Sequence, residues 1–242
     1  MKTLSLFCRL SILTCLLLFA CGKKEEAPPK EEMSKGGTVL KHFPTEFDTQ
    51  AYYLFYLHGA IVEDKGVRPE HPQYGVYEYE AILDSLAARG LVVISEARAS
   101  GIDVPMYARK LVGQVDRLMT AGVPPEHISV AGHSKGGVIA IQACSMLQNE
   151  HLGFVFLASC FAGIFTPPGP NLSGRVLSIY DASDELAGSC QRAFDMSTQP
   201  LTYHEIELQT GQGHGAFYRP IPEWIDPVVK WVMGESLEEI ED

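Results

Sequence analysis

Along residues 38–242, short runs of continuously apolar residues alternate with longer amphipathic ones. YYLFYLHG (52–59) is aromatic-rich and ends in a glycine turn, which predicts a strand. YGVYEYEAILDSLAARG (74–90) places Tyr77, Ile82, Leu83 and Leu86 at near-helical spacing and stops at Gly90, which predicts a helix. LVVIS (91–95) is a strand, and 105–121 is a helix with Pro105 in its first turn and Gly122 after its end. HISVAG (127–132) is a strand and SKGGVIAIQACSMLQ (134–148) a helix. FVFLAS (154–159), RVLSIY (175–180) and TYHEIEL (202–208) are further strands, and PEWIDPVVKWVM (222–233) is a closing helix. Strands that are apolar throughout, instead of alternating, belong to a sheet buried on both faces. The alternation of strand and helix therefore predicts an α/β fold: a mostly parallel central sheet with helices on both faces.

The chain before residue 38 follows other rules. Lys2 and Arg9 precede an apolar run from Leu10 to Ala20 that is too short to span a bilayer, so 1–20 reads as a signal peptide. The end of that run, Leu18-Phe19-Ala20-Cys21-Gly22, resembles the bacterial lipobox. The resemblance implies cleavage before Cys21 and acylation of that cysteine, hence a membrane partner through an N-terminal lipid. By the same resemblance, a residue other than aspartate after the cysteine favours the outer membrane of the bacterial envelope. Residues 21–37, with KKEEAPPKEEMSKGG after Gly22, carry mixed charge and no apolar periodicity, which predicts a disordered tether. The folded domain is expected over 38–242.

Composition narrows the partners. The 242 residues carry a net charge of −11. With Lys2 and Arg9 removed, 17 bases face 30 acids, or −13. Nucleic acid is not an expected partner, because phosphate binding needs a basic face. Of six cysteines, Cys8 and Cys15 leave with the signal and Cys21 takes lipid, so Cys144, Cys160 and Cys190 remain in the domain. Cys160 follows one predicted strand and Cys190 lies beyond the next. If those strands are neighbours, a Cys160–Cys190 disulfide can form and Cys144 stays a buried thiol; three thiols is the competing arrangement.

The candidate chemistry lies at three strand ends. GHSKGG (132–137) joins a predicted strand to a predicted helix, with Ser134 at the centre of G-x-S-x-G. A serine on so sharp a turn needs strained dihedrals and small neighbours, and the helix start beyond it suits a developing negative charge. A serine hydroxyl also needs a base, and the base needs an orienting carboxylate. RVLSIYDASDE (175–185) leads a strand into a loop with Asp181 and Asp184, and GQGHGAF (211–217) exposes His214 among glycines. His133, next to Ser134, is expected to point away from the site. There is no HExxH, CxxC pair, calcium-loop spacing or phosphate-binding glycine loop, so no metal or cofactor is expected.

In strand pattern, serine turn, acid loop and histidine loop, the chain resembles the α/β-hydrolase superfamily over essentially all of 38–242. The resemblance implies Ser134 as nucleophile, His214 as base and Asp184 as acid, about four residues past its strand, with Asp181 left to anchor the turn. It also implies an oxyanion hole made by the backbone N–H of Lys135 and, after the His58-Gly59 element, that of Ala60, with Ile61 the alternative. The expected activity is hydrolysis of carboxylic esters or thioesters through an acyl-enzyme. A peptidase or amidase on the same triad, or a tethered binding protein without turnover, is the alternative. FAGIFTPPGPNLSG, between two predicted strands, is too short for a helical cap, and the loop at 61–75 is expected to overhang the site as a polar wall. Both point to small or exposed acyl groups as substrate.

Overall fold

The computed structural model describes residues 37–237. The expected signal segment, Cys21 and the expected tether up to residue 36 lie outside the described residues. Gly37 is already against the domain: a Cβ there would sit 2.1 Å from the Leu91 carbonyl oxygen.

The chain runs β1 (Thr38–Leu40), β2 (Tyr53–Leu57), α1 (Ala60–Lys65), β3 (Glu70–His71), β4 (Gly75–Val76), α2 (Tyr79–Ala87), β5 (Val92–Ile94) and α3 (Val104–Thr120). It continues through β6 (Ile128–His133), α4 (Lys135–Leu147), β7 (Gly153–Leu157), β8 (Gly174–Asp181), α5 (Gln191–Met196), β9 (Leu201–Leu208) and α6 (Pro222–Met233). Seven strands form one sheet in the order β1-β5-β2-β6-β7-β8-β9, and every neighbouring pair is parallel. From β2 the chain returns toward one edge, and from β5 it crosses to β6 on the far side of β2. β2 and β6 are thus neighbours at the point where the connections diverge, and loops beyond such strand ends are where sites form in open α/β sheets.

Period-two alternation divides each buried strand between two cores. In β2, Tyr53, Phe55 and Leu57 face α3 and α4 with Leu111, Val115 and Ile139. Leu54 and Tyr56 face α2 and α6 with Ile82, Leu86, Trp224 and Val228. Each large apolar side chain removed from water contributes roughly 1.5–3 kcal/mol, so a sheet covered on both faces is the arrangement these sequences favour. α3 starts where expected: Asp103 caps it by accepting the Met106 N–H at 2.7 Å, and Pro105 stands in its first turn. No helix among the described residues is long and apolar enough to cross a membrane.

The structure departs from the expectation at 61–90. The predicted loop at 61–75 is instead α1 followed by the β3–β4 hairpin, and α2 begins at Tyr79, not at residue 74. The reason is where the backbone donors go. The N–H of Tyr77 bonds the Pro69 carbonyl at 2.8 Å, and that of Glu78 bonds the Tyr218 carbonyl at 2.7 Å, so neither is free to open a helix. The sequence reading also omits β1 and α5, of three and six residues, too short to show a period.

Candidate active site

Ser134 sits between β6 and α4 with φ +55° and ψ −122°, a region that residues with a side chain rarely occupy and that costs of order 1–3 kcal/mol. Its neighbours explain how this is held. A Cβ on Gly132 would lie 2.3 Å from the Gly136 carbonyl oxygen, and one on Gly136 would lie 2.0 Å from the Leu57 carbonyl oxygen. Two bare backbones therefore bring the start of α4 against the end of β2. The Ser134 N–H bonds the Leu157 carbonyl at 3.0 Å, which ties the turn to β7.

The acid and histidine loops extend from β8 and β9. Asp184 Oδ1 accepts the N–H groups of Leu186 and Ala187 at 2.8 and 3.2 Å. Its Oδ2 receives His214 Nδ1 at 2.8 Å, with the carboxylate fully buried and the imidazole nearly so. Asp181 plays a different part. One of its oxygens takes the Ser183 N–H at 3.0 Å, the Ser183 hydroxyl at 2.5 Å and the Gly213 N–H at 3.2 Å. The other takes the Thr210 N–H at 2.9 Å and hydroxyl at 2.6 Å. Asp181 thus knots the acid loop to the histidine loop. Burial alone would raise its pKa, but the donors of Ser183 and Thr210 outweigh that and hold it below the usual carboxylate value.

His214 is not exposed, in contrast to the sequence reading. Phe161 and Tyr74 stand at ring-centroid distances of 6.0 and 6.2 Å from it, and His133 at 4.9 Å. Gly215 admits the hairpin tip, since a Cβ there would lie 2.7 Å from Tyr74 Cβ. His133 does not point away from the site; it lies fully buried next to His214, where burial and then the neighbouring imidazole hold its pKa well below the ordinary value. The Asp184–His214 pair is formed, whereas the Ser134 hydroxyl makes no hydrogen bond to His214 within the described residues.

The two expected N–H donors open adjacent helices. Ala60 is the first residue of α1 and Lys135 the first of α4, positions whose N–H groups have no acceptor within the helix. Ile61 is the second residue of α1. A Cβ on Gly59 would lie 3.5 Å from Ser134 Cβ, so the two segments meet beside the serine.

Three residues that the sequence reading did not assign to the site join them. His58 is fully buried, and Glu63 and Arg98 nearly so. Arg98 Nε bonds Glu63 Oε1 at 2.9 Å, and Lys135 Nζ bonds Glu63 Oε2 at 2.6 Å. Glu63 is therefore a paired interior carboxylate, not part of an exposed polar wall. A signal for this was present in AIVEDK after Gly59: an acid, Glu63, in the first turn and Lys65 in the last mark a helix. Nothing local pointed to Arg98, which is 35 positions away.

Two pockets are lined by neighbours of His214, Phe161 in one and Gly213 and Gly215 in the other. One is an apolar groove of about 580 Å³ between α4 and the 161–170 segment, lined by Val138, Ile141, Met146, Phe161 and Ile164. Val138 lies one helical turn from Ser134, to whose carbonyl its N–H bonds at 3.1 Å. The other is a polar pocket of about 460 Å³ between the hairpin tip and the two loops, lined by Tyr74, Glu185, Gln212 and Arg219 among others. Cys160 and Cys190 are bridged, with Cα atoms 5.3 Å apart, at the same end of the sheet. Cys144 is a buried thiol pushed up to about 12 by burial.

No family model matches the chain, and no curated protein does. Solved structures do. A mutant of the esterase E40 is 15% identical with a TM-score of 0.53, over 76% of this chain and 76% of that one. A variant of SOBER1 from Arabidopsis thaliana is 13% identical with a TM-score of 0.50, over 75% of this chain and 97% of that one. At such identities the likeness concerns the fold, which is the α/β-hydrolase fold; no cap domain is present among the described residues.

Proposed function

We propose that this chain, built on the α/β-hydrolase fold, is a serine hydrolase that cleaves carboxylic esters or thioesters. The observation that carries the reading is the buried Asp184–His214 pair at 2.8 Å, presented beside a serine held at positive φ. Ser134 Oγ attacks the substrate carbonyl carbon and passes its proton to His214 Nε2. Asp184 keeps the other ring nitrogen protonated and facing it. The tetrahedral oxyanion takes the N–H groups of Lys135 and Ala60. Collapse breaks the bond to the alcohol or thiol, which leaves with the proton from His214. Water, activated by the same histidine, then releases the acid.

The apolar groove along α4 suits the acyl part, and its 580 Å³ lies within the usual range for small-molecule sites. Its outer wall at 161–170 holds only one 3₁₀ turn, Ala162–Phe165, which supports small or exposed acyl groups over long chains. We also propose that lipidation of Cys21 anchors the enzyme in the bacterial envelope, with the outer membrane favoured. The open Ser134–His214 arm is the observation that favours the rival reading, a binding protein without turnover. Hydrogen bonds of this kind are often long in unliganded enzymes and close around substrate.

A fluorophosphonate probe followed by mass spectrometry separates the two. The proposal expects modification at Ser134 and loss of p-nitrophenyl acetate hydrolysis in Ser134→Ala. An unlabelled, inactive wild type would support the binding protein.

A further inference from the structure

Glu63 touches both segments that carry the proposed oxyanion donors. Its Oε2 holds Lys135 Nζ at 2.6 Å, and the Lys135 backbone N–H is one donor. Its Oε1 holds Arg98 Nε at 2.9 Å, with both side chains about 1% exposed. Arg98 passes the constraint on. Its Nη2 donates to the His58 carbonyl oxygen, and its backbone N–H donates to His58 Nε2 at 2.9 Å. Because His58 Nε2 accepts, the neutral ring carries its proton on Nδ1, which donates to the Gly59 carbonyl oxygen at 2.9 Å. That last bond matters through peptide geometry. The Gly59 carbonyl and the Ala60 N–H belong to one planar trans unit and point in opposite directions. Holding the oxygen on the His58 side therefore aims the Ala60 N–H the other way.

We propose that Glu63 and Arg98, acting through His58, are positioning residues that set the spacing and aim of the two oxyanion donors. A buried carboxylate shared between two cations contributes little net stability over an apolar replacement. It does give one fixed arrangement, and both of its ends reach a donor-bearing segment. The proposal rests on Ser134 being the nucleophile, so its test begins with that.

The test uses the full chain with p-nitrophenyl acetate and an aliphatic trifluoromethyl ketone. The ketone adds to the serine as a hemiketal, whose oxyanion occupies the same hole as the transition state. Glu63→Gln keeps the shape and removes the charge. It should lower kcat by roughly 30–300-fold with KM within about threefold. The ketone's Ki should rise by the same factor as kcat/KM falls, and the pH profile should keep its midpoint, since His214 has its own partner. Lys135→Met leaves the Glu63–Arg98–His58 arm in place and should lose only roughly three- to tenfold in kcat, again matched by Ki. Glu63→Asp should recover part of the loss.

A folded Glu63→Gln enzyme with wild-type kcat and Ki would overturn the proposal. So would a loss carried by KM, or one accompanied by a shifted pH profile. If Glu63→Gln does not fold, Lys135→Met decides: unchanged kcat and Ki would overturn it. Active Ser134→Ala would defeat the nucleophile reading itself, whatever the Glu63 variants do.

Discussion

Gly136→Ala probes how close the turn that carries the proposed nucleophile lies to the segment that carries the proposed oxyanion donor Ala60. The alanine Cβ would sit 2.0 Å from the Leu57 carbonyl oxygen and 2.7 Å from that of His58, both backbone atoms. An ordinary contact begins near 3.4 Å, so about 1.4 Å (3.4 − 2.0) must be found by moving α4 away from β2. Neither element can yield cheaply, because β2 is buried along its length and α4 packs on it. Overpacking of this kind costs on the order of 3 kcal/mol, larger than the ~0.4–1 kcal/mol that alanine gains in the unfolded chain. For a domain of this size, ~3 kcal/mol is a fall in Tm of roughly 6–12 °C. A separation of ~1 Å between the Lys135 and Ala60 donors should also cost about 10²-fold in kcat. Gly113→Ala is the control: it is an exposed position inside α3, and a Cβ there meets nothing within 4 Å. It should be neutral or stabilising by up to ~1 kcal/mol. Thermal melts and initial rates on p-nitrophenyl acetate read both effects. A Gly136→Ala enzyme melting within about 2 °C of wild type, with kcat/KM unchanged, would refute the reasoning.

Asp184→Asn should reduce kcat by on the order of 10³–10⁴-fold with little change in Tm, whereas Asp181→Asn should lower Tm more than kcat; the reverse ranking would move the acid to Asp181. His58 is held down to about 3 by burial and then by the Arg98 charge. Its depressed value makes stability full above the unfolded pKa of ~6.5 and lost as pH falls from there toward 3. The acid limb of a pH–Tm curve should therefore flatten between those values in a folded His58→Gln variant, and an unchanged limb would contradict the assignment. Opening the Cys160–Cys190 bridge, which spans 30 positions, should cost about 3–4 kcal/mol, seen as a lower Tm after reduction. Alkylation without reductant should leave both cysteines unmodified, and labelling at either would contradict the bridge.

Much of the frame could be read from local pattern. Strands β6, β7 and β8 are largely apolar and almost wholly buried because helices cover both faces, and Gly132 and Gly136 mark a turn that a Cβ would obstruct. The separate parts expected of Asp181 and Asp184 came from the resemblance; Asp181 is the last residue of β8 and Asp184 lies three residues beyond it. What was not legible depends on contacts far apart in the chain. Glu63 looked like part of a charged loop because its partners, Arg98 and Lys135, come from other elements. The start of α2 was misplaced because the carbonyls of Pro69 and Tyr218 claim the donors of Tyr77 and Glu78. The apolar groove arises only where α4 meets the 161–170 segment.

That segment is fastened at both ends. Cys160 is tied to Cys190 in front. Behind, the Leu172 N–H bonds the Ser197 hydroxyl at 2.8 Å, and the Thr198 N–H bonds the Asn171 side-chain oxygen at 2.9 Å. The knot at Asp181 lies outside this span, so the wall of the groove and the acid–base pair are held by different fasteners. Residues 162–170, beyond the Phe161 ring that stands against His214, can therefore be treated as an exchangeable cassette. Longer or more polar inserts between the two fasteners should change which acyl groups are accepted while leaving Ser134 as reactive toward a small phosphonate as before, which makes this the place to begin in redirecting the scaffold to new substrates.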